Sequence, residues 1–297
     1  MLNSVNVLLV WLFSLLCFFM SLINNSTATT LFLLECLAML VIPLTCYSNN
    51  GLGHTKFNSI ALFFVVSSLS GLVFLYSLIF NMFETIFYVL LLKFGLFPFC
   101  WWIYGVYSGI GLWLLVYLNT VFKAPIIWLT GLGGISLDST VLLILFLTVF
   151  YCSYMLLSQT SGWYTFLASS SIMTSSVYLL LLNNVSQILF FAIFFVGWLY
   201  LFMYIYLLFS HNFYEKENLS INEAYSYSFF TLFMALPFSV TAIYKLINVY
   251  GIILLNSLGF IILWLVYQII EQLWLLNFFF NNNSINVTSE VINSRLV

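Results

Sequence analysis

Glu35, Lys93, Lys123 and Lys245 each lie inside a long apolar stretch, in a chain that has only 6 basic and 8 acidic residues in all. Lys93 gives the sharpest contrast, midway through an unbroken run of aliphatic and aromatic residues from Phe87 to Phe99. A charge at the centre of a membrane span costs at least about 2.5–3.5 kcal/mol on insertion scales. A chain this poor in charge does not need one there for packing. Burial favours the neutral form of an amine, and a nearby carboxylate favours the charged form. A lysine balanced between the two can take up and release a proton near neutral pH. One acid and three lysines in apolar segments therefore read as a proton relay, in which moving the carboxylate switches the lysine. The bland alternative is a set of static ion pairs, or lysines that snorkel to the interface. Lys93 is too central to snorkel, whereas Lys123 and Lys245 lie nearer to segment ends.

The segments that must position these groups are long and numerous. Of 297 residues, 64% are hydrophobic and 5% charged. Soluble domains are about 45–50% apolar and about 25% charged, so the composition specifies an all-α membrane protein. A span needs about 20 apolar residues. Ten such runs are expected, roughly at 4–23, 29–47, 58–80, 83–103, 107–130, 139–158, 163–182, 187–210, 225–248 and 250–276. They form a single transmembrane domain over 1–280, followed by a polar tail at 281–297 that is expected to fray. No basic n-region or small-residue cleavage site precedes the first run. The chain is therefore expected to insert by its own first helix, or to be made inside the organelle that uses it.

Ten spans divide into two sets of five, roughly 1–130 and 139–276. In each set the fourth span carries a proline and a lysine: Pro98 with Lys93 and Gly95, then Pro237 with Lys245. An odd-numbered unit repeated once is inverted in the membrane, and paired Pro-interrupted helices point to a transporter-type site. The loop cations Lys56, Lys216 and Arg295 fall on one side of a ten-span arrangement. By the positive-inside rule that side, with both termini, faces the matrix or cytoplasm.

Other features narrow the chemistry. The net charge of −2 and the lack of a basic stripe argue against a nucleic-acid partner. The only histidines, His54 and His211, fall in expected loops, which argues against haem or copper ligation within the membrane. The absence of a Gly-rich phosphate loop argues against nucleotide binding. Five cysteines without a C-x-x-C pair read as packing residues. Glu84 and Asp138 fall at helix starts, where an acid suits the dipole. Glu271, near the end of the last span, has no assigned role. The seventh span carries Ser169, Ser170, Ser171, Thr174, Ser175 and Ser176, which either hold a proton wire or allow close helix packing. The abundance of Phe and Tyr and the scarcity of Pro fit an AT-rich coding genome, as in many organelles.

Several stretches resemble one family. Lys93-Phe-Gly95-Leu-Phe-Pro98-Phe99 is similar to the K-x-G-x-x-P-F stretch of the antiporter-like subunits of respiratory complex I, with Trp102 and Gly109 in register. Thr120-Val-Phe-Lys123-Ala-Pro-Ile resembles the T-x-x-K-x-A-P-x segment. Leu34-Glu35 with Pro43 resembles the acidic helix upstream. Leu167-Ala-Ser-Ser-Ser-Ile resembles the L-A-Y-S-S-I stretch, and Leu236-Pro237 with Lys245 resembles the second helix break. The matches span roughly residues 30–250. The departures are Cys100 and Thr174 where the family has histidines, Gly105 where it has an acid, and a second break without its usual glycines and second proline.

The resemblance implies an antiporter-like fold and a proton-translocating core membrane subunit of mitochondrial NADH:ubiquinone oxidoreductase. Glu35, Lys93, Lys123 and Lys245 would be its proton-channel residues, and its N-terminus would face the matrix. Its partners would be other membrane subunits of the complex and the lipid bilayer. No cofactor is expected on this chain: NADH, FMN, iron–sulfur clusters and ubiquinone would be bound by other subunits. Two rival readings use the same residues, a stand-alone cation/proton antiporter and a scaffold subunit with static buried ion pairs.

Overall fold

The fold was analysed in a computed structural model, which describes residues 2–24, 26–47, 53–80, 82–109, 112–123, 125, 139–158, 163–184, 195, 197, 240–253 and 258–294. Among these, every regular element is a helix. The chain divides into two compact units, Met1–Gln187 and Ile188–Val297.

In the first unit, α1 (Leu2–Ile23), α2 (Thr27–Tyr47) and α3 (Gly53–Ile79) follow one another as packed neighbours. Next come α4 (Phe83–Phe94), α5 (Trp101–Tyr107) and α6 (Leu112–Tyr117), which runs into a π-helical turn at Leu118–Phe122. The unit ends with α7 (Ser139–Leu157) and α8 (Trp163–Asn184). Helix α2 is the hub on one side, against α1, α3, α6 and the π turn. On the other side α3 packs on α4 and α5, and α5 packs on α8.

Among the described residues, four helices are long and apolar enough to cross a membrane: Phe57–Ile79, Thr140–Leu157, Tyr164–Leu181 and Leu258–Asn277. The apolar runs Leu9–Ile23, Thr27–Val41, Thr85–Phe94 and Thr241–Ile253 are shorter. The outward faces carry large apolar side chains such as Leu12, Phe19, Leu72, Ile79 and Phe150, all more than half exposed. Lipid is the solvent in which such a surface is stable. The span Tyr164–Leu181 differs: 72% of it is buried, against 33% for each of the other three, so α8 lies inside its unit.

The interruption expected around Gly95 and Pro98 is present between α4 and α5. Helix α4 stops because Gly95 adopts the left-handed conformation (φ +61°), which costs glycine nothing. The Gly95 N–H donates to Leu92 O at 3.1 Å and the Leu96 N–H to Leu91 O at 2.9 Å. These are the paired bonds of a Schellman terminus. The Trp102 indole N–H also donates to Leu92 O at 2.8 Å. Carbonyls freed by the break are thus satisfied inside the protein, as a membrane interior demands.

In the second unit the described helices are α9 (Val240–Ile253) and α10 (Leu258–Ser294), which pack on each other. Helix α10 continues through Ser294, past the start of the expected polar tail. The expected break at Pro237, the expected span 187–210 and the loop cations Lys216 and Arg295 lie outside the described residues.

Candidate functional site: three lysine centres

The break in α4 decides where Lys93 sits. It is in the last turn, one residue before the end of the helix. The carbonyl end of a helix is its negative pole, and a cation there is favoured. Glu35 comes from the middle of α2, nine residues into a helix of 21. Lys93 Nζ donates to Glu35 Oε1 at 2.7 Å. The Lys93 side chain is 3% exposed and that of Glu35 is 25% exposed. The pair is therefore asymmetric, with the acid on the more accessible side.

Helix α3 completes the pocket of the acid. Ser67 Oγ donates to Glu35 Oε2 at 3.3 Å. Gly71, one turn further along α3, leaves room for the carboxylate. A Cβ at that position would stand 2.7 Å from Glu35 Oε1 and 2.9 Å from its Cδ. Real Cβ contacts are not that short, so glycine is required for this placement.

Lys123 comes directly after the π turn and is buried, at 7% exposure. A π turn holds an extra residue and re-aims the side chains beyond it; such turns recur at functional sites. Tyr117, just before the turn, anchors it to α2 by donating to Leu37 O at 3.0 Å. Lys123 Nζ then donates to Ser171 Oγ at 2.7 Å and to Ser171 O at 2.5 Å. Among the described residues no carboxylate pairs with it.

The contact continues past Ser171. The Tyr107 hydroxyl lies 2.7 Å from Ser171 Oγ and 2.8 Å from Asn119 Oδ1. A tyrosine hydroxyl has one proton, and an amide oxygen can only accept. The Tyr107 proton therefore goes to Asn119, and the Ser171 hydroxyl donates to Tyr107 while accepting from Lys123. Four side chains from α5, α8 and the π-turn segment form one directed chain ending on Asn119.

Of the hydroxyls in α8, Ser171 is the one engaged in this way. Ser169, Ser170, Thr174, Ser175 and Ser176 all donate to carbonyls three or four residues earlier in the same helix. Self-satisfied hydroxyls of this kind behave as small packing residues. Thr174 and Ser175 both donate to Ser171 O, the carbonyl that Lys123 also uses.

In the second unit, Lys245 Nζ donates to Glu271 Oε2 at 3.1 Å, joining α9 to α10. Both side chains are largely buried, at 17% and 10% exposure.

Of the four sequence-predicted residues, two meet directly, Glu35 and Lys93. Lys123 and Lys245 each meet a different partner. Sequence reasoning missed Ser67, Gly71, Tyr107 and Asn119, which stand in apolar or unremarkable contexts and carry no spacing signal. Glu271 carried one: it is the last charge within an apolar span, and buried charges come in pairs. Among the described residues no group of three or more His, Cys, Asp or Glu side chains could hold a metal ion. Cys17, Cys36, Cys100 and Cys152 are free thiols.

No protein-family model matches the sequence, and no curated protein matches it. What the fold and the site define is a class, a helical membrane protein with lysines buried against acceptors inside its helical units.

Proposed function

We propose that this chain is a proton-translocating membrane subunit of NADH:ubiquinone oxidoreductase, most like subunit 2 of the mitochondrial NADH dehydrogenase, and works in the mitochondrial inner membrane. The observation that carries the reading is the Glu35–Lys93 pair, held at a helix break inside apolar surroundings. Such a pair is a weak source of stability, because desolvating two ions costs as much as their attraction returns. It is a good switch, because any loss of the carboxylate charge leaves the amine uncompensated and ready to give up its proton.

In this reading Glu35 modulates Lys93. Lys93 and Lys123 carry protons along the interior of the first unit, and Lys245 is the terminal exchange site. The Ser171–Tyr107–Asn119 chain takes over the path at Lys123 where the resembling family has a histidine near Thr174. Electron transfer belongs to other subunits, with NADH, FMN, iron–sulfur clusters and ubiquinone bound there. The two inverted five-helix repeats and the matrix-side N-terminus are part of the same proposal.

The test is Lys93→Met in the assembled complex. Proton pumping should fall at a given electron flux, and an unchanged proton-to-electron ratio would refute the role. Migration of the chain on a native gel separates this reading from a stand-alone cation/proton antiporter. The respiratory subunit runs within a very large assembly, and the antiporter does not.

A further inference from the structure

The second unit contains more polar groups than its ion pair uses. Asn248 is 3% exposed, and its Oδ1 is buried with no hydrogen-bond partner among the described residues. Gln268 Oε1 is in the same condition. Buried acceptors of this kind are uncommon and call for an explanation. Their positions supply one. Asn248 lies three residues after Lys245 on α9, and Gln268 lies three residues before Glu271 on α10. The four residues between α9 and α10 make the two helices an antiparallel pair. Both amides therefore fall one turn from the ion pair, at the same level, on the faces that meet. A lysine side chain spans one helical turn.

We infer that the Lys245 ammonium has two seats, the Glu271 carboxylate and, one turn away, the amide oxygens of Asn248 and Gln268. This rests on the reading of Lys245 as an exchange site and names Glu271 as the residue that positions it. With Glu271 ionised, the ammonium stays on the carboxylate, as in this structure. When Glu271 takes a proton from water, its attraction for the ammonium drops, and the cation moves to the two unfilled acceptors. The charge on nitrogen does not change; its place along α9 does. The other titratable side chains buried on the two facing helices are Tyr244 and Tyr267, which are uncharged at neutral pH. Among side chains described on α9 and α10, Lys245 and Glu271 are the only charged ones.

The test is solid-state NMR on the full chain in lipid bilayers, labelled with 15N at lysine and 13C at Glu, Asn and Gln. At neutral pH Lys245 Nζ should correlate with Glu271 Cδ. Acid titration should transfer that correlation to Asn248 Cγ and Gln268 Cδ. Glu271→Leu should show the amide correlations already at neutral pH. The double variant Asn248→Leu/Gln268→Leu should keep the lysine on Glu271 throughout the titration. A lysine that stays on Glu271 in acid, or that reaches neither amide in Glu271→Leu, overturns the inference. A mobile Lys245 in a chain that migrates alone on a native gel would leave it standing and remove the respiratory-complex reading. A fixed Lys245 in an assembly that pumps protons would do the reverse.

Discussion

Lys93 and Glu35 are 58 residues apart in sequence and 2.7 Å apart in space. The lysine stands at the negative end of a helix that stops within the apolar layer, and the acid projects from the middle of an unbroken one. The arrangement holds a charge in place by two means, an opposite charge and a helix terminus, and the first of these can be switched.

Removing one member should therefore cost more than removing both. Glu35→Gln or Lys93→Met alone should destabilise the first unit by about 3 kcal/mol, the low end of the range for breaking a buried pair because Glu35 is a quarter exposed. The double variant Glu35→Gln/Lys93→Met should recover most of that loss. Reversible unfolding in bicelles, run as a double-mutant cycle, measures the coupling. Additive losses would show that the pair does not interact.

Gly71→Ala separates stability from placement. An alanine in mid-helix is favoured over glycine by about 1 kcal/mol, but its Cβ claims the space that the Glu35 carboxylate occupies. The end of the glutamate side chain must shift, so α3 should stay folded while the Glu35–Lys93 contact lengthens. Proton transfer should drop at undiminished thermal stability. A variant with wild-type transfer would show that the carboxylate needs no fixed seat.

Ser171→Ala removes the hydroxyl between Lys123 and Tyr107 but keeps the Ser171 carbonyl. A hydrogen bond to a charged group contributes about 1.5–3 kcal/mol, so a stability loss of that order is expected. Proton transfer should fall about as far as in Tyr107→Phe, which breaks the same chain one step later. If Tyr107→Phe transfers protons normally, the path leaves Ser171 by another route.

Gly95→Ala tests the break itself. A non-glycine residue at φ +61° costs roughly 1–2 kcal/mol. The added Cβ also meets the Ile103 side chain. Both effects act against the variant, so a loss above about 2 kcal/mol is expected. Trp102→Phe, which deletes only the indole donor to Leu92 O, should cost about 1 kcal/mol.

The parts legible in sequence are those that composition and local chemistry determine. Membrane class comes from the scarcity of charge, and the stop after Lys93 from Gly95 and Pro98. The importance of Lys93 comes from the cost of burying it. The pairing of Glu35 with Lys93 is legible as chemistry, since a buried ammonium needs a partner. Which hydroxyl of α8 meets Lys123 is not. Six hydroxyls share that helix, and only the direction imposed by the π turn singles out Ser171. Tyr107 and Asn119 are illegible for the same reason, because their roles depend on a crossing of α5 and α8 that no local pattern encodes. Glu271 has no legible role in the sequence because its partner lies 26 residues away on another helix.

The π turn before Lys123 has a genetic consequence. It holds one residue more than an α-helical turn would, so losing a single codon between 118 and 122 would let the helix close up rather than break. Everything after the deletion would rotate by about 100° around the axis. Lys123 would then leave Ser171, although every residue of the relay was still encoded. The reading frame, the apolar character of the span and its helicity would all survive. A gene carrying that lesion would look intact, and its product would insert and fold with its second lysine disconnected.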